Sequence, residues 1–314
     1  MKYLQNRIAE SRQTLSAVMV YSAAVWLLAG LIQEGWWIQF VLFVASVFMM
    51  MTLSNTNLLI RIYSRLVSVS FAVLSCAASF LFPSVAGAFV QLCVILSIFS
   101  LFNAYQEQPV VGWIYYAFLF LSLASLAEAR MLWFLPLLWF LMLVPVHARG
   151  GRALTASVLG ILTPYWAALS WLLFSQGASL DISLAGAHFG KLADSVMYGF
   201  DTLGLQRLLV LLLAVALGAL GGVHFILKHF EDRYRVRQLY YSFIYIAIYS
   251  CVMMIAFPSQ FDLLLRVLII AVSPLAGHFF ALTKTKASNI CFLVTAGIIF
   301  ILTVFNLWTS SSVF

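Results

Sequence analysis

The sequence predicts an all-α, polytopic membrane protein, and three observations support this fold class. Of the 314 residues, 64% are hydrophobic and only 9% are charged, against about 25% charged residues in an average soluble domain. The mean hydropathy is +1.04. Apolar runs of about 20 residues recur along the chain, which is the length that a helix needs to cross a bilayer. A membrane β-barrel would alternate in shorter segments, and a disordered chain would be far less hydrophobic.

Eleven apolar segments are predicted to be transmembrane helices. Their approximate limits are 14–33, 36–54, 66–83, 86–104, 110–127, 131–146, 153–174, 207–227, 239–258, 262–283 and 288–308. The whole chain, 1–314, is expected to form a single integral membrane domain. It includes a basic N-terminal tail, 1–13, and an outer loop, 175–206.

Lysine and arginine residues determine the predicted orientation, because they concentrate on the cytoplasmic side of membrane proteins. With the N-terminus in the cytoplasm, about 13 of the 17 basic residues lie in inner segments. The other four are Arg130, Lys191, Arg207 and Arg266. The odd number of spans then places the C-terminus outside. The short loops favour a bacterial inner membrane as the location.

Two groups of ionisable residues lie at membrane depth, where a charge is costly and therefore a candidate for function. Glu128 and Arg130 lie in a short turn between two apolar runs, and in a turn both can point into a cavity. Asp262 and Arg266 are four residues apart, so they can pair on one helix face. Each group has a structural interpretation, as a snorkelling loop or an ion pair. Each also has a functional interpretation: Glu128 and Arg130 form a buried polar site, and Arg266 clamps a phosphate with its fork of donors.

The outer loop 175–206 carries an amphipathic helix pattern. Apolar residues recur with helical spacing at Phe189, Leu192, Ala193, Val196 and Phe200. His188, Lys191 and Asp194 fall on the other faces. The segment is either a connector or a lid over an outward cavity, in which case this polar stripe faces a headgroup or a sugar.

Sequence motifs for cofactors and metals are missing. The chain has no P-loop, GxGxxG, GxSxG or HExxH motif, and its four cysteines are scattered through apolar runs without a CxxC pair. We therefore expect no cofactor and no metal. The net charge of +7 is explained by the membrane orientation, so we expect membrane lipids and other membrane proteins as partners, and no nucleic acid.

The stretch LASLAEARMLWFLPLLWFLML, Leu123–Leu143, resembles a segment of GT-C glycosyltransferases. In those enzymes a helix ends in a small-residue turn with a polar or basic residue, and a Leu-rich helix with a proline follows. Arg152–Trp166 fits the same pattern. Separately, Asn57–Arg61, Leu101–Gln106 and Leu123–Trp166 are similar to an uncharacterised family of polytopic inner-membrane proteins from Bacteroidota.

The GT-C resemblance implies an enzyme that takes a polyprenyl-phosphate-linked sugar from the outer leaflet. GT-C enzymes carry essential acids in a long first outer loop, whereas here that loop is short and has one acid, Glu34. Glu34 or Glu128 would act as the general base, and Arg130 or Arg266 would stabilise the departing phosphate. Two other functions stay open at this point: a non-catalytic subunit or scaffold of a membrane complex, and a transporter for a lipid or small solute.

Overall fold

The structure, a computed structural model, describes residues 3–105, 110–176, 188–190 and 204–311, and this part of the chain contains helices and no strand. The helices are α1 (Leu4–Glu10), α2 (Thr14–Leu28), α3 (Trp37–Thr56), α4 (Leu66–Ala77), α5 (Val85–Asn103), α6 (Val110–Ala127), α7 (Leu135–Leu143), α8 (Gly151–Gln176), α9 (Leu205–Lys228), α10 (Tyr234–Ala256), α11 (Phe261–Leu282) and α12 (Lys286–Ser311). Short 3₁₀ turns include Ser79–Leu81, Ala129–Phe134, His229–Glu231 and Pro258–Gln260.

Each of the eleven apolar segments overlaps one of the helices α2–α12. Eight of these helices (α3, α5, α6 and α8–α12) are long and apolar enough to cross a membrane. The other three, α2, α4 and α7, are apolar but shorter. With 12 residues, α4 is about 18 Å long, well below the roughly 30 Å of a hydrocarbon core. The all-helical polytopic architecture is confirmed, and helix length alone supports eight crossings.

Helix α11 forms the centre of the bundle. Of its 22 residues 18 are buried, and it packs against α4, α9, α10 and α5. A helix that is apolar on all sides needs protein neighbours or lipid around it, and α11 is surrounded by protein neighbours. Helix α8 differs, because it exposes large side chains such as Trp166 (71%) and Phe174 (89%). Such a surface fits contact with lipid.

Small residues let the helices around α11 approach it closely. A Cβ atom on Gly221 of α9 would lie 2.6 Å from the backbone carbon and oxygen of Leu275. A Cβ atom on Gly277 would lie 3.0 Å from the backbone nitrogen of Val67 in α4. Contacts this close require glycine, which is the usual role of small residues in membrane helix packing.

The basic N-terminal segment contains the short helix α1, which is tied to the turn between α11 and α12. The Gln5 side-chain amide donates to the Phe280 carbonyl oxygen over 2.5 Å and to the Thr283 hydroxyl over 2.8 Å. The Asn6 amide donates to the Thr283 carbonyl over 3.1 Å. Gln5 and Asn6 are buried, so α1 is part of the folded bundle.

Contacts between the ends of the helices define two ends of the bundle. We call the end with the last residues of α4 and α6 and the first residues of α9 and α11 the cavity end. Among the described residues, the arginines at this end are Arg130, Arg207 and Arg266. The opposite end carries Arg7, Arg12, Arg61, Arg65, Arg149, Arg152, Lys228, Arg233, Arg235, Arg237, Lys284 and Lys286. The basic residues that the sequence distributes unevenly are therefore few at the cavity end and numerous at the opposite end.

Candidate functional site

A cavity of about 550 Å³ opens at the cavity end of the bundle. Three segments form its walls: the turn from α4 to α5, the turn after α6, and the first turns of α11 with the residues just before it. The lining residues are Phe80, Leu81, Pro83, Ser84, Gly87, Glu128, Arg130, Ser259, Gln260, Asp262, Leu263 and Arg266. Four of the predicted site residues therefore share one cavity.

The cavity exists because helices stop short on two of its sides. Helix α4 ends at Ala77, and the 3₁₀ turn Ser79–Leu81, followed by Pro83, precedes the start of α5 at Val85. Helix α6 ends at Ala127, and Glu128 is extended, with φ −137° and ψ 101°. In a membrane bundle such non-helical backbone is stable where it is covered by protein or lines a water-filled space. The two breaks thus place polar backbone and side chains around the cavity.

The break at Glu128 brings Glu128 and Arg130 to the same side. On a continuous helix two residues this close in sequence would point in different directions. Here Glu128 is extended and Ala129 begins a 3₁₀ turn, so both side chains line the cavity. Both are half-buried, which leaves them accessible to a bound molecule.

Arg266 brings a buried positive charge to the cavity. Arg266 is only 6% exposed. Its guanidinium donates to the Gln91 side-chain oxygen over 2.8 Å and to the Leu81 carbonyl. Both acceptors are neutral, and Asp262 acts on this charge only at longer range. Burying an ion without a close counter-ion costs several kcal/mol. An anion in the cavity would reduce that cost.

Two residues at the start of α5, Ser84 and Gly87, shape the cavity wall beside Arg266. Ser84 caps α5, since its hydroxyl accepts a hydrogen bond from the Gly87 backbone N–H over 3.0 Å. A Cβ atom on Gly87 would lie 2.8 Å from Nε of Arg266 and 2.9 Å from the Ser84 hydroxyl. Glycine at this position therefore allows the guanidinium to pass against α5.

Asp262 pairs with Arg207 of α9, not with Arg266 as the spacing in the sequence predicts. The two carboxylate oxygens accept from Nε and Nη2 of Arg207 over 2.8 and 3.0 Å. The guanidinium of Arg207 also lies 5.3 Å from the centre of the Phe80 ring. Arg266 is unavailable for this pairing because its own donors point to α5 and the α4–α5 turn. Counting Arg266, Glu128, Arg130 and this pair, the described residues of the cavity region carry one more positive than negative charge.

The remaining predicted site residues lie elsewhere. Glu34 is exposed in the turn between α2 and α3, and it is not among the described residues that line the cavity. A ring nitrogen of His188, Nε2, lies 3.1 Å from the Ser125 carbonyl oxygen. Ser125 is three residues before Glu128, so His188 lies near the cavity end without lining the cavity. Lys191 and Asp194 lie outside the described residues.

The sequence analysis missed four residues of this site: Arg207, Gln91, Ser84 and Gly87. Gln91 had a detectable signal, because an amide in the middle of the apolar run 86–104 is as unusual as the arginine at 266. The pairing of Arg207 with Asp262 joins residues 55 positions apart, and only the packing of α9 on α11 reveals it.

A second cluster of charged residues lies at the opposite end. The buried carboxylate of Asp232 lies 2.9 Å from Nε of Arg61 and 3.1 Å from Nε2 of His278. Glu231 pairs with the same arginine over 2.9 Å. This cluster ties the connection between α9 and α10 to α11 and to the segment after α3, which indicates a structural role.

Comparison of the chain with protein-family models, with curated protein sequences and with solved structures gave no match. The fold and the site define a class instead: an all-helical polytopic protein with apolar spans and a charged cavity at one end. The resemblance to GT-C glycosyltransferases stays a prediction from the sequence.

Proposed function

We propose that this chain is a membrane-embedded transferase, GT-C-like, that acts on a polyprenyl-phosphate-linked substrate in envelope glycan or lipid-carrier metabolism. The observation that supports this proposal is the cavity that unites Glu128, Arg130 and Arg266. It contains a carboxylate, an accessible guanidinium and a buried guanidinium whose hydrogen-bond partners are neutral. Such a set can bind a phosphate and activate a hydroxyl beside it.

The proposed topology has eleven crossings, α2–α12, with the N-terminus in the cytoplasm and the C-terminus outside. The contrast between three arginines at the cavity end and twelve basic residues at the opposite end supports this orientation, because basic residues favour the cytoplasmic side. The cavity then opens toward the outer leaflet of the inner membrane. A lipid-linked substrate on that leaflet would reach it.

In this proposal Arg130 and Arg266 bind a phosphate in different ways. Arg130 is half-buried and contacts the phosphate oxygens directly, since the planar guanidinium fork fits two of them at once. Arg266 uses part of its donor set to hold Gln91 and Leu81. Its charge lies at the cavity wall, where low polarity strengthens the attraction to an anion.

Glu128 is the proposed general base. Its carboxylate takes the proton of an acceptor hydroxyl while the hydroxyl oxygen forms a bond to the sugar carbon that carries the phosphate. The bond between that carbon and the phosphate oxygen breaks, and the lipid phosphate leaves with the electron pair. The arginines stabilise the negative charge that develops on this leaving group.

Helix α11, at the centre of the bundle, offers few polar groups to a transport path. Between Arg266 and His278, α11 is buried and apolar except for Ser273, whose hydroxyl donates to the Ile269 carbonyl over 2.5 Å. A transport path needs polar groups along the membrane normal. A non-catalytic subunit is the second candidate, because the exposed aromatic residues of α8 fit contact with a partner helix as well as contact with lipid.

The experiment compares variants of the cavity in cells that depend on the protein. We expect Glu128→Gln to lower transfer at least about 100-fold, the usual contribution of a general base, while substrate binding is retained. We expect Arg130→Gln to weaken binding of the lipid phosphate. Lys284→Gln, at the opposite end, is the matched charge control. Unchanged envelope glycans and lipid-linked intermediates in both cavity variants would refute the proposed enzyme.

A further inference from the structure

A second cavity lies toward the opposite end of the bundle, between α2 and α12. Its free volume is about 200 Å³, roughly the space of six or seven water molecules. Helices α4, α9 and α11 form its floor, and Ile8 of α1 lines it as well. Of the fifteen lining residues twelve are apolar, and the other three are Thr14, Ser70 and Thr295. We call this space the inner crevice.

The inner crevice opens sideways, toward the hydrocarbon of the bilayer. Leu66, on its floor, is only 3% exposed. At its mouth Val18 of α2 is half-buried, and Ala296 of α12 is exposed. The two helices contact each other farther along, where the Tyr21 hydroxyl donates to the Thr303 hydroxyl over 3.0 Å. The crevice lies on the inner side of that contact, so a hydrocarbon chain can enter it from the bilayer.

The lining of the inner crevice favours hydrocarbon over water. The Thr14 hydroxyl already donates to the Ile8 carbonyl over 2.7 Å, and a mostly apolar space offers water too few hydrogen-bond partners. If the crevice stayed empty, its lining side chains would lose dispersion contacts on that side. Along α4 it extends from Leu66 to Leu74, about 12 Å at 1.5 Å per residue. A segment of an acyl chain would fill such a space.

Two arginines lie at the inner end of the crevice and share one aromatic ring. The guanidinium carbons of Arg12 and Arg65 each lie 5.9 Å from the centre of the Tyr63 ring. Nε of Arg65 also donates to the Tyr63 hydroxyl over 3.0 Å. Arg65 directly precedes Leu66, which lines the crevice, and Arg12 lies two residues before Thr14, which lines it too. The two charges are therefore next to the apolar space.

Neither of these arginines forms an ion pair with an acid in the part of the chain that the structure describes. Arg61, four residues before Arg65, differs, because it pairs with Glu231 and Asp232. Arg12 is exposed and Arg65 is half-buried, so an anion can reach both. Guanidinium groups bind phosphate oxygens with short, charge-assisted hydrogen bonds. The headgroup of an anionic lipid supplies such oxygens together with a net negative charge.

We propose that the inner crevice, Arg12 and Arg65 together bind one anionic phospholipid. One acyl chain lies in the crevice, and the phosphate lies beside the two guanidinium groups. In the proposed orientation this end of the bundle faces the cytoplasmic leaflet, whose anionic lipids attract basic segments. The inference does not depend on the proposed transfer reaction, because the inner crevice lies away from the cavity that contains Glu128 and Arg266.

The test compares two lipids that have the same acyl chains and differ in net charge, phosphatidylglycerol and phosphatidylcholine. Each is titrated into the delipidated full-length protein in detergent, and native mass spectrometry counts the lipids that bind. A basic residue near a lipid headgroup changes the affinity about fivefold. Phosphatidylglycerol should therefore bind to one site at least about fivefold more tightly than phosphatidylcholine.

Two variants test the two parts of the site. Arg12→Gln should lower the affinity for phosphatidylglycerol about fivefold and leave that for phosphatidylcholine nearly unchanged. Arg152→Gln, at an exposed arginine of the same end, is its control. Ala296→Trp fills the mouth of the crevice and should weaken both lipids severalfold, because detergent is as apolar as the crevice and only packing is lost. Val294→Trp is its control, since Val294 is 54% exposed on α12 and is not among the described residues that line the crevice.

Each part of the proposal can fail separately. Equal affinity for the two lipids, or equal effects of Arg12→Gln and Arg152→Gln, would show that the arginine pair does not hold the headgroup. Equal binding by the Ala296→Trp and Val294→Trp variants would place the acyl chain outside the crevice. Either result would overturn the proposed site. Should Ala296→Trp not fold, Val18→Trp narrows the same mouth from α2 and should weaken both lipids to a similar extent.

Discussion

The substitution Gly87→Ala tests the position of Arg266 with a single added methyl group. The new Cβ atom would lie 2.8 Å from Nε and 3.1 Å from Cζ of Arg266. Carbon atoms of this kind pack at about 3.5–4.0 Å. The guanidinium must therefore move by roughly 0.7 Å or more away from α5.

The expected loss of stability follows from the hydrogen bonds that this shift of the guanidinium stretches. The bond from Arg266 to Gln91 is 2.8 Å long, and lengthening it by that amount takes it out of hydrogen-bond range. A hydrogen bond from a charged donor contributes about 1.5–3 kcal/mol, and overpacking a buried site costs about 1–3 kcal/mol. Because the two effects share one movement, we expect a loss of about 2–4 kcal/mol in the free energy of unfolding.

The assay measures unfolding in detergent and phosphate binding on the same samples. Gly297→Ala in α12 is the control, since no atom lies within 4 Å of its added Cβ. A helical glycine replaced by alanine without a clash should change stability by less than about 1 kcal/mol. Gly87→Ala should also weaken binding of inorganic phosphate about tenfold, since Arg266 moves. If Gly87→Ala and Gly297→Ala behave alike in both assays, Arg266 does not occupy the described position.

Three further substitutions test other parts of the structure. Gly221→Val should lower the free energy of unfolding by about 1–3 kcal/mol through overpacking. Gly222→Ala should be tolerated, because the nearest atom to its added Cβ lies 3.9 Å away. Equal stability of the two variants would contradict the close contact of α9 with α11. Asp232→Asn should lower the free energy of unfolding, measured by thermal unfolding, by about 3 kcal/mol because it breaks a buried charge cluster. Glu231→Gln should lower it by less than about 1 kcal/mol, because the Glu231 side chain is 40% exposed. The reverse order would show that the Asp232 carboxylate is not the centre of the cluster. Glu34→Gln should leave transfer and phosphate binding unchanged because Glu34 lies away from the cavity; loss of transfer would move the catalytic acid to the first outer turn.

The helices were predictable because the bilayer imposes a simple rule on sequence. A spanning helix satisfies its own backbone and exposes apolar side chains, so each run of apolar residues corresponds to a helix. The lengths were less predictable. Helix α4 ends at Ala77 and α7 at Leu143, although the apolar runs continue to about 83 and 146. The end of α4 lies beside the cavity, whereas α7 ends at the opposite end of the bundle, and hydropathy records neither break.

The site was predictable in part. Glu128, Arg130, Asp262 and Arg266 stand out because charges in apolar runs are rare. Their partners did not stand out, because sequence spacing favours the local pair of Asp262 with Arg266. In the structure Asp262 instead makes a bidentate contact with Arg207, and Arg266 donates a hydrogen bond to Gln91. Tertiary contacts between distant helices decide such choices.

The central claim is that the charged cavity opens to the outer side and receives a lipid phosphate, and cysteine accessibility tests it most directly. With the four native cysteines replaced, Ser259→Cys places a thiol in the cavity wall, and Ala287→Cys places one at the opposite end. In sealed, right-side-out vesicles, a membrane-impermeant maleimide should label residue 259 and not 287, and added polyprenyl phosphate should slow the labelling at 259. Labelling of 287 alone, or labelling of 259 at a rate that polyprenyl phosphate does not change, would contradict the claim.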